Sequence, residues 1–581
     1  MLRRAMLTTA AVALGAVALL APRAAARTEL FPGVTYEFGV EFTPHGPVAL
    51  HVVSAPRPTG LFALRPVLSN ETIVNTERVT SMQQRLAPLG TMVGINADFW
   101  TWATGRPSGV LIRDGVVISP PAFGRSSVGV TADGTLDVRR VSLFGTWRGS
   151  GTTRVLNHLN KEPGPNEISL FTSAWGPTTP RTPRSAAAVL STLPATVPNV
   201  ELAAPVAEVL SEPSVTIPPG GAVLVARGRT ADALLQEALP GSNVLFRFVF
   251  KPDWSTVVNA VGGGPIIVRD GTPVFRANEQ FTTIQIAPRS PRTAIGQRAD
   301  GSILLVVVDG RRRGYSVGMT NFELAQTMVR LGAVTASALD SGGSSTLAFN
   351  GRLLNRPSDP GGERWVSTAL MLNYVGVFIR QPTPVVSPNG DGVDDVQRLR
   401  VKVVRPSAVT ATLVAPDGSV AYTETTQRAP GIYVVPFPPA PPPPPDAPAP
   451  APPPPETALE GSWRLTVSAT DDLGQASSMV RNFAVNGTLG FLTTSKRGRS
   501  NLEISWQQAH QAHVVATVES AAGKVVRTLA QRDYDPGTPV LRWNGLGPRG
   551  KRVREGRYFI RVVARNALGR SQLVRRFAVQ R

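Results

Sequence analysis

The run ALDSGGSSTLAF, residues 338–349, gathers one carboxylate, Asp340, two glycines, Gly342 and Gly343, and two hydroxyls, Ser344 and Ser345. A carboxylate can move a proton or hold charge, and glycines let backbone N–H groups come close to a ligand. A tight turn would use the same residues. A second carboxylate, Asp309, closes the apolar run ILLVVV, and Asn96 and Asp98 close a third run, GTMVGINADFW. GGGP supplies Gly262, Gly263 and Gly264, whose N–H groups can face an anion, but it lacks the lysine of a nucleotide-binding P-loop. Arg292 stands beside Thr293 in SPRTAIG, and an arginine fork suits a phosphate.

These residues need elements to aim them. ILLVVV reads as a buried strand and TNFELAQTMVRLG as a helix. Thr320 and Glu323 form a capping box, Leu324, Met328 and Leu331 share a face, and Gly332 stops the helix. AVTASAL is a second strand. If the two strands are parallel neighbours, Asp309 and Asp340 emerge at one carboxyl edge, where open sheets hold ligands. The stretch RLAPLGTMVGINADFW repeats the order helix, Gly90, strand, polar end. Hairpins turn at Asp114-Gly115, Asp270-Gly271 and Asn350-Gly351. The expected fold is multidomain: a mixed α/β (α+β) N-terminal catalytic domain over 28–380, then two all-β Ig-like sandwich modules.

The modules rest on an internal repeat. GSWRLTVSATDDLGQASSMVRNFAV (461–485) parallels GRYFIRVVARNALGRSQLVRRFAV (556–579), and Gly418 upstream stands opposite Gly523. Alternation between turn signals predicts small antiparallel sandwiches at 382–486 and 487–581. The proline tract 436–455 falls inside the first repeat and reads as an expanded loop. The repeats resemble the Ig-like domain of the flagellar hook-capping protein family. The lead-in SPNGDGVDD strengthens that resemblance. In it Asn389, Asp391, Asp394 and Asp395 either ligate calcium or form a polar turn.

A chain of 581 residues is too long for one core. MLRRAM, an apolar stretch and Ala24-Ala25-Ala26 predict a signal peptide over 1–26, Sec-type or twin-arginine. No later segment is long enough to span a bilayer, so a secreted, periplasmic or cell-surface protein is expected. There is no cysteine, which excludes disulfides, thiol nucleophiles and cysteine metal sites. Net charge is +20, or +17 once Arg3, Arg4 and Arg23 leave with the signal, which attracts polyanions. The basic runs lack interleaved aromatics, so nucleic acid is not the expected partner and a phosphate-bearing glycan is. Oligomeric state is not readable.

In their order, NADFW, GGGP, PRTAIG, VVVDGR, GMTNFELAQTMVRLGA, ALDSGGSSTL and NRPSD followed by Arg364 resemble the phosphodiester glycosidase family over about residues 60–378. Two departures are Ser341 and Ala97, where the family often has glycine. The resemblance implies hydrolysis of the bond between a sugar's anomeric carbon and a phosphodiester, as in a GlcNAc-1-phosphodiester; with the export signal and the positive charge, a secreted enzyme acting on cell-wall or exopolysaccharide phosphoglycans is expected. A phosphate leaves readily, so stabilising an oxocarbenium-like centre and holding the phosphate matter most. Asp340 and Asp309 become candidates for base, nucleophile or stabiliser. Arg292 and Arg364 would hold phosphate with the N–H groups of Gly262–Gly264 and Gly342–Ser344, and Thr293 would line the site. Asn96, Asp98 and Asn355 would bind sugar hydroxyls. The sequence requires no cofactor, and a divalent cation such as calcium is compatible with the carboxylates. A serine hydrolase is disfavoured, because SGGSS is not Gly-x-Ser-x-Gly and no histidine lies between His158 and His510. The alternative is a non-catalytic surface protein that binds wall polysaccharide.

Overall fold

The structure, a computed structural model, describes residues 27–275, 277–439, 458–497, 501–547 and 550–580. The signal peptide expected at 1–26, and all but the first four residues of the proline tract, lie outside the described residues.

Alternating and doubly buried apolar runs make this chain almost entirely β. Strand accounts for 52% of it and helix for 8%, so the expectation of a mixed α/β N-terminal domain is overturned. The capped helix is present at Asn321–Arg330, with the Thr320–Glu323 capping box formed and Gly332 at φ +91° beyond it. Nevertheless, it is a lone cover on an antiparallel sheet. That sheet orders its strands 27–31, 34–43, 46–55, 303–308, 292–298, 333–338, 266–269 and 272–273. The strands Ile303–Val308 and Ala333–Ala338 run the same way but are not neighbours, since Arg292–Arg298 lies antiparallel between them.

ILLVVV misled because it is buried on both faces, which is the usual mark of a parallel strand. Ile303, Leu305 and Val307 face Val93, Ile95, Leu347 and Leu370 of a second sheet. Leu304, Val306 and Val308 face Leu324, Ala325 and Met328 of the helix. The second sheet orders 352–353, 347–349, 91–96, 368–374 and 62–68. Two further sheets, of five and eight strands, complete the N-terminal region. The three hairpins turn where expected, with φ of +52° and +81° at Asp114-Gly115, +49° and +70° at Asp270-Gly271, and +46° and +77° at Asn350-Gly351.

From Phe378 onward, the chain folds twice into paired sheets, of three and five strands and then of three and four, the first sheet including Phe378–Ile379. Gly418 and Gly523 take φ +86° and +75° in matching turns, and Gly461 and Gly556 open matching strands. The first pair of sheets shares one apolar core with the N-terminal region, through Phe378 and Ile379 against Leu399 and Val401, whereas the second has a core of its own. Among the described residues no helix is long and apolar enough to cross a membrane.

Candidate active site

Strand pairing sets the site. Arg292 is opposite Val308, and Ala294 is opposite Ala338, so Arg292, Asp309 and Asp340 gather at one sheet edge. The facing sheet brings Asn96 to the same place. The Asn96 amide donates to the Asp340 carbonyl at 2.8 Å, and the Asp340 N–H donates to the Ala97 carbonyl at 2.9 Å. Asn96 Oδ1 accepts the Thr293 hydroxyl and the Thr346 N–H. Asn96 and Thr293 are therefore buried fasteners between the sheets rather than groups offered to a sugar.

Asp340 begins the turn as expected, and the turn leaves its carboxylate half-buried. Ser341 is extended at φ −126° and Gly342 takes φ +69°, so the left-handed residue is Gly342 and a serine at 341 is no strain. Burial pushes the Asp340 carboxyl up to about 6, while Ser344, the Ser341 N–H, Arg364 and Arg125 oppose the rise. The Ser345 and Thr346 hydroxyls are buried without a hydrogen bond, and the Ser344 hydroxyl has only the Asp340 carboxylate to turn to. Such orphans in a native site suit a bound ligand.

Asp98 is close enough to Asp340 to feel its charge. It is 3% exposed, and burial pushes its carboxyl up to about 7 despite N–H donation from Gly109 at 2.6 Å and the cation of Arg125. Gly262 has no side chain because a Cβ there would sit 2.4 Å from the Asp98 carboxylate. Two carboxylates thus titrate near neutrality beside one another. Two guanidiniums act on Asp340. Arg125 stacks on Phe99 and Phe281, with its carbon 5.1 and 4.4 Å from the ring centres. Arg364 is held by both oxygens of Asp359, at 2.7 and 3.0 Å.

Other expected site residues turn out to be structural. Asp309 is 1% exposed, and its carboxylate accepts from His51 at 3.0 Å, Tyr315 at 2.9 Å, Asn355 at 3.0 Å and the Arg356 N–H at 3.1 Å. These partners overcome burial and hold its carboxyl below the ordinary range. It is a buried ionised hub that fixes the loop after Asn355, not a free base. Asn355 is spent on Asp309, the Ser345 carbonyl and the Leu347 N–H. Arg292 is 2% exposed, and its guanidinium donates to the carbonyls of Met319, Gln285, Ile286 and Pro288. No fork remains for phosphate. Desolvation pulls it down to about 10. The Gly262 and Gly264 N–H groups are taken by the Val110 and Ala338 carbonyls, and the Gly342 N–H by that of Pro291, which leaves them no anion to hold.

In the lead-in loop the carboxylates accept backbone N–H groups. Asp395 accepts from the N–H groups of Asn389, Gly390 and Gly392, and Asp391 from those of Val393 and Val574. Asp394 stands in the turn at φ +55°. Among the described residues no group of three or more acidic or histidine side chains is placed to hold a metal ion.

Sequence reasoning missed Arg125, Asp359 and His51. Arg125 follows Phe123-Gly124 with no periodic signal around it. Asp359 could have been found as the acid five residues before Arg364. His51 lies 258 positions from Asp309 and meets it only through the pairing of Gly46–Ala55 with Ile303–Val308.

Comparison with known proteins places this geometry. Residues 201–373 match the phosphodiester glycosidase family, and residues 493–567 match the FlgD Ig-like domain. The SPbeta prophage-derived uncharacterized protein YomE of Bacillus subtilis is 36% identical over 116 residues, which is 20% of this chain and 17% of that protein. The N-acetylglucosamine-1-phosphodiester alpha-N-acetylglucosaminidase of Bos taurus is 37% identical over 70 residues, 12% of this chain and 13% of its own. The chain thus spans less than a fifth of these relatives' lengths. A hypothetical protein from Synechocystis shares the fold at a TM-score of 0.51 and 26% identity, over 61% of this chain and 64% of that one. The resemblance read from the ordered motifs holds: the chain carries a phosphodiester glycosidase domain, matched at 201–373, followed by a FlgD Ig-like domain at 493–567.

Proposed function

We propose that the protein hydrolyses the bond between a sugar's anomeric carbon and a phosphodiester, with Asp340 as the reacting carboxylate. The observation that carries this reading is the half-buried Asp340, raised to about 6, between Arg125 and Arg364 and beside the still higher Asp98. Burial raises both carboxyls, and the cations of Arg364 and Arg125 favour the ionised form of Asp340. An ionised Asp340 can stabilise or attack an oxocarbenium-like centre. Arg125 and Arg364 supply charge for the departing phosphate. Asp98 acts through Asp340 and Arg125 and is a positioning residue.

The substrate class is an anionic phosphoglycan of a wall or capsule, met outside the cell by a protein exported on its first 26 residues. The charge of +17 left once the signal is removed agrees with such a partner. The test is to incubate the protein with GlcNAc-1-phosphodiesters and identify released sugar by mass. Release that is lost in Asp340→Asn supports the reading. Binding to wall material without release by the unaltered protein would favour the non-catalytic alternative.

A further inference from the structure

The loop after Asp98 folds back on itself. Trp100 pairs with Pro107, and the Thr101 N–H donates to the Arg106 carbonyl at 2.9 Å. This presents Trp102, 73% exposed, with its ring 4.6 Å from that of Trp100. Opposite stands Trp365, 52% exposed, with the Arg78 guanidinium 5.5 Å from its ring centre. The three indoles, Arg78, Arg364 and Asp359 line an open groove of about 460 Å³. Exposed indoles forgo the burial that usually stabilises them, so several in one groove mark a surface kept for a ligand.

Arg364 joins this groove to Asp340. Its guanidinium lies 5.2 Å from the centre of the Trp102 ring, and a Cβ on Gly343 would fall 2.1 Å from Nη2 of the same arginine. The groove therefore begins where the phosphate is placed by the proposed reaction.

We infer that the groove is a second subsite, which takes a further pyranose ring of a phosphodiester-linked glycan beyond the scissile phosphate. This rests on the reading given under Proposed function. A pyranose has an apolar C–H face that stacks on an indole and hydroxyl edges that meet charged groups. The groove offers both, with the Arg364 guanidinium against Trp102 and that of Arg78 against Trp365, and the second cation suits the next phosphate along a polymer. A lipid chain would need enclosed apolar walls, whereas this groove is open and charged. The protein should therefore favour a polymer over a simple diester.

The experiment compares kcat/KM on methyl GlcNAc-1-phosphodiester and on an oligomer of phosphodiester-linked N-acetylglucosamine, for the full chain and for Trp365→Ala. The Trp365 ring lies against Arg78, whereas the Arg364 guanidinium is held by Asp359 and Trp102, and the exposure of Trp365 spares the fold, which a melting curve checks. The variant should lose about tenfold or more on the oligomer, mainly through KM, and less than about twofold on the methyl diester. Trp365→Phe should recover most of the loss, since a flat face remains. Equal loss on both substrates, or none on the oligomer, overturns the subsite. If the unaltered protein cleaves neither probe, the proposed reaction fails on its own account. Calorimetric titration of the oligomer then judges the groove separately: weaker binding by Trp365→Ala supports it, and no binding or equal binding overturns it.

Discussion

At the scale of single residues, burial and hydrogen-bond supply separate carboxylates that look alike in sequence. Asp309 has four kinds of donor and is held low, whereas Asp340 and Asp98 are underserved and are pushed up to about 6 and about 7. A raised folded value means that the protonated form fits the fold. Its stabilising effect is present below the ordinary carboxylate range and is lost as pH rises through about 6. Asp340→Asn should therefore melt a few degrees higher than the unaltered protein at pH 8 and the same at pH 4, by calorimetry. Its hydrolysis rate should fall about a hundredfold or more. If Asp340 reacts as proposed, the unaltered protein should gain activity as pH rises through about 6 and Asp340 ionises. A flat rate profile there would remove Asp340 from the chemistry. Arg292→Lys keeps a charge but cannot serve four carbonyls, so it should cost ~3 kcal/mol of stability or more and lower activity equally on charged and neutral leaving groups.

At the scale of elements, the site is built where turns from two sheets interlock. Gly342 turns the chain with a positive φ, and Gly343 lets the Arg364–Asp359 pair pack directly on the backbone. A Cβ at 343 would lie 2.1 Å from both Arg364 Nη2 and Asp359 Oδ1. Gly343→Ala should displace that pair. The expected result is a loss of about tenfold or more in kcat/KM, with the main melting transition shifted by only a few degrees. Unchanged kinetics would show that Arg364 does not need this seat.

At the scale of the whole molecule, the apolar core decides where the chain can be cut. Absence of the catalytic motifs beyond residue 380 suggests a cut there, but Phe378 and Ile379 pack on Leu399 and Val401, and Lys402 donates to the Gly90 carbonyl. A chain ending at residue 380 should aggregate or melt far lower. A chain ending at residue 486 removes only the separately cored second module, along with its contacts to Ser387, Asn389 and Asp391. It should keep full turnover on a small diester. Retained stability in the shorter chain, seen by calorimetry, would contradict the shared core.

The hairpins, the capped helix, the repeat and the gathering of Asp309 with Asp340 were legible because each rests on local physics: turn geometry, capping, periodicity and a strand's direction. The family was legible from the order of short motifs. Antiparallel order was not, because a strand buried on both faces reads the same whichever way its neighbours run. Nor were the roles of the charged residues. Asp309 and Arg292 look available in sequence, and only the fold shows them consumed: Asp309 by His51 and Asn355, Arg292 by the Met319 carbonyl and by three carbonyls of the nearby segment 285–288. Sequence alone determined which groups stand at the sheet edge. Tertiary structure decided which of them keep free hydrogen-bonding capacity, because that depends on how remote strands and irregular loops close around them, and neither carries a periodic signal.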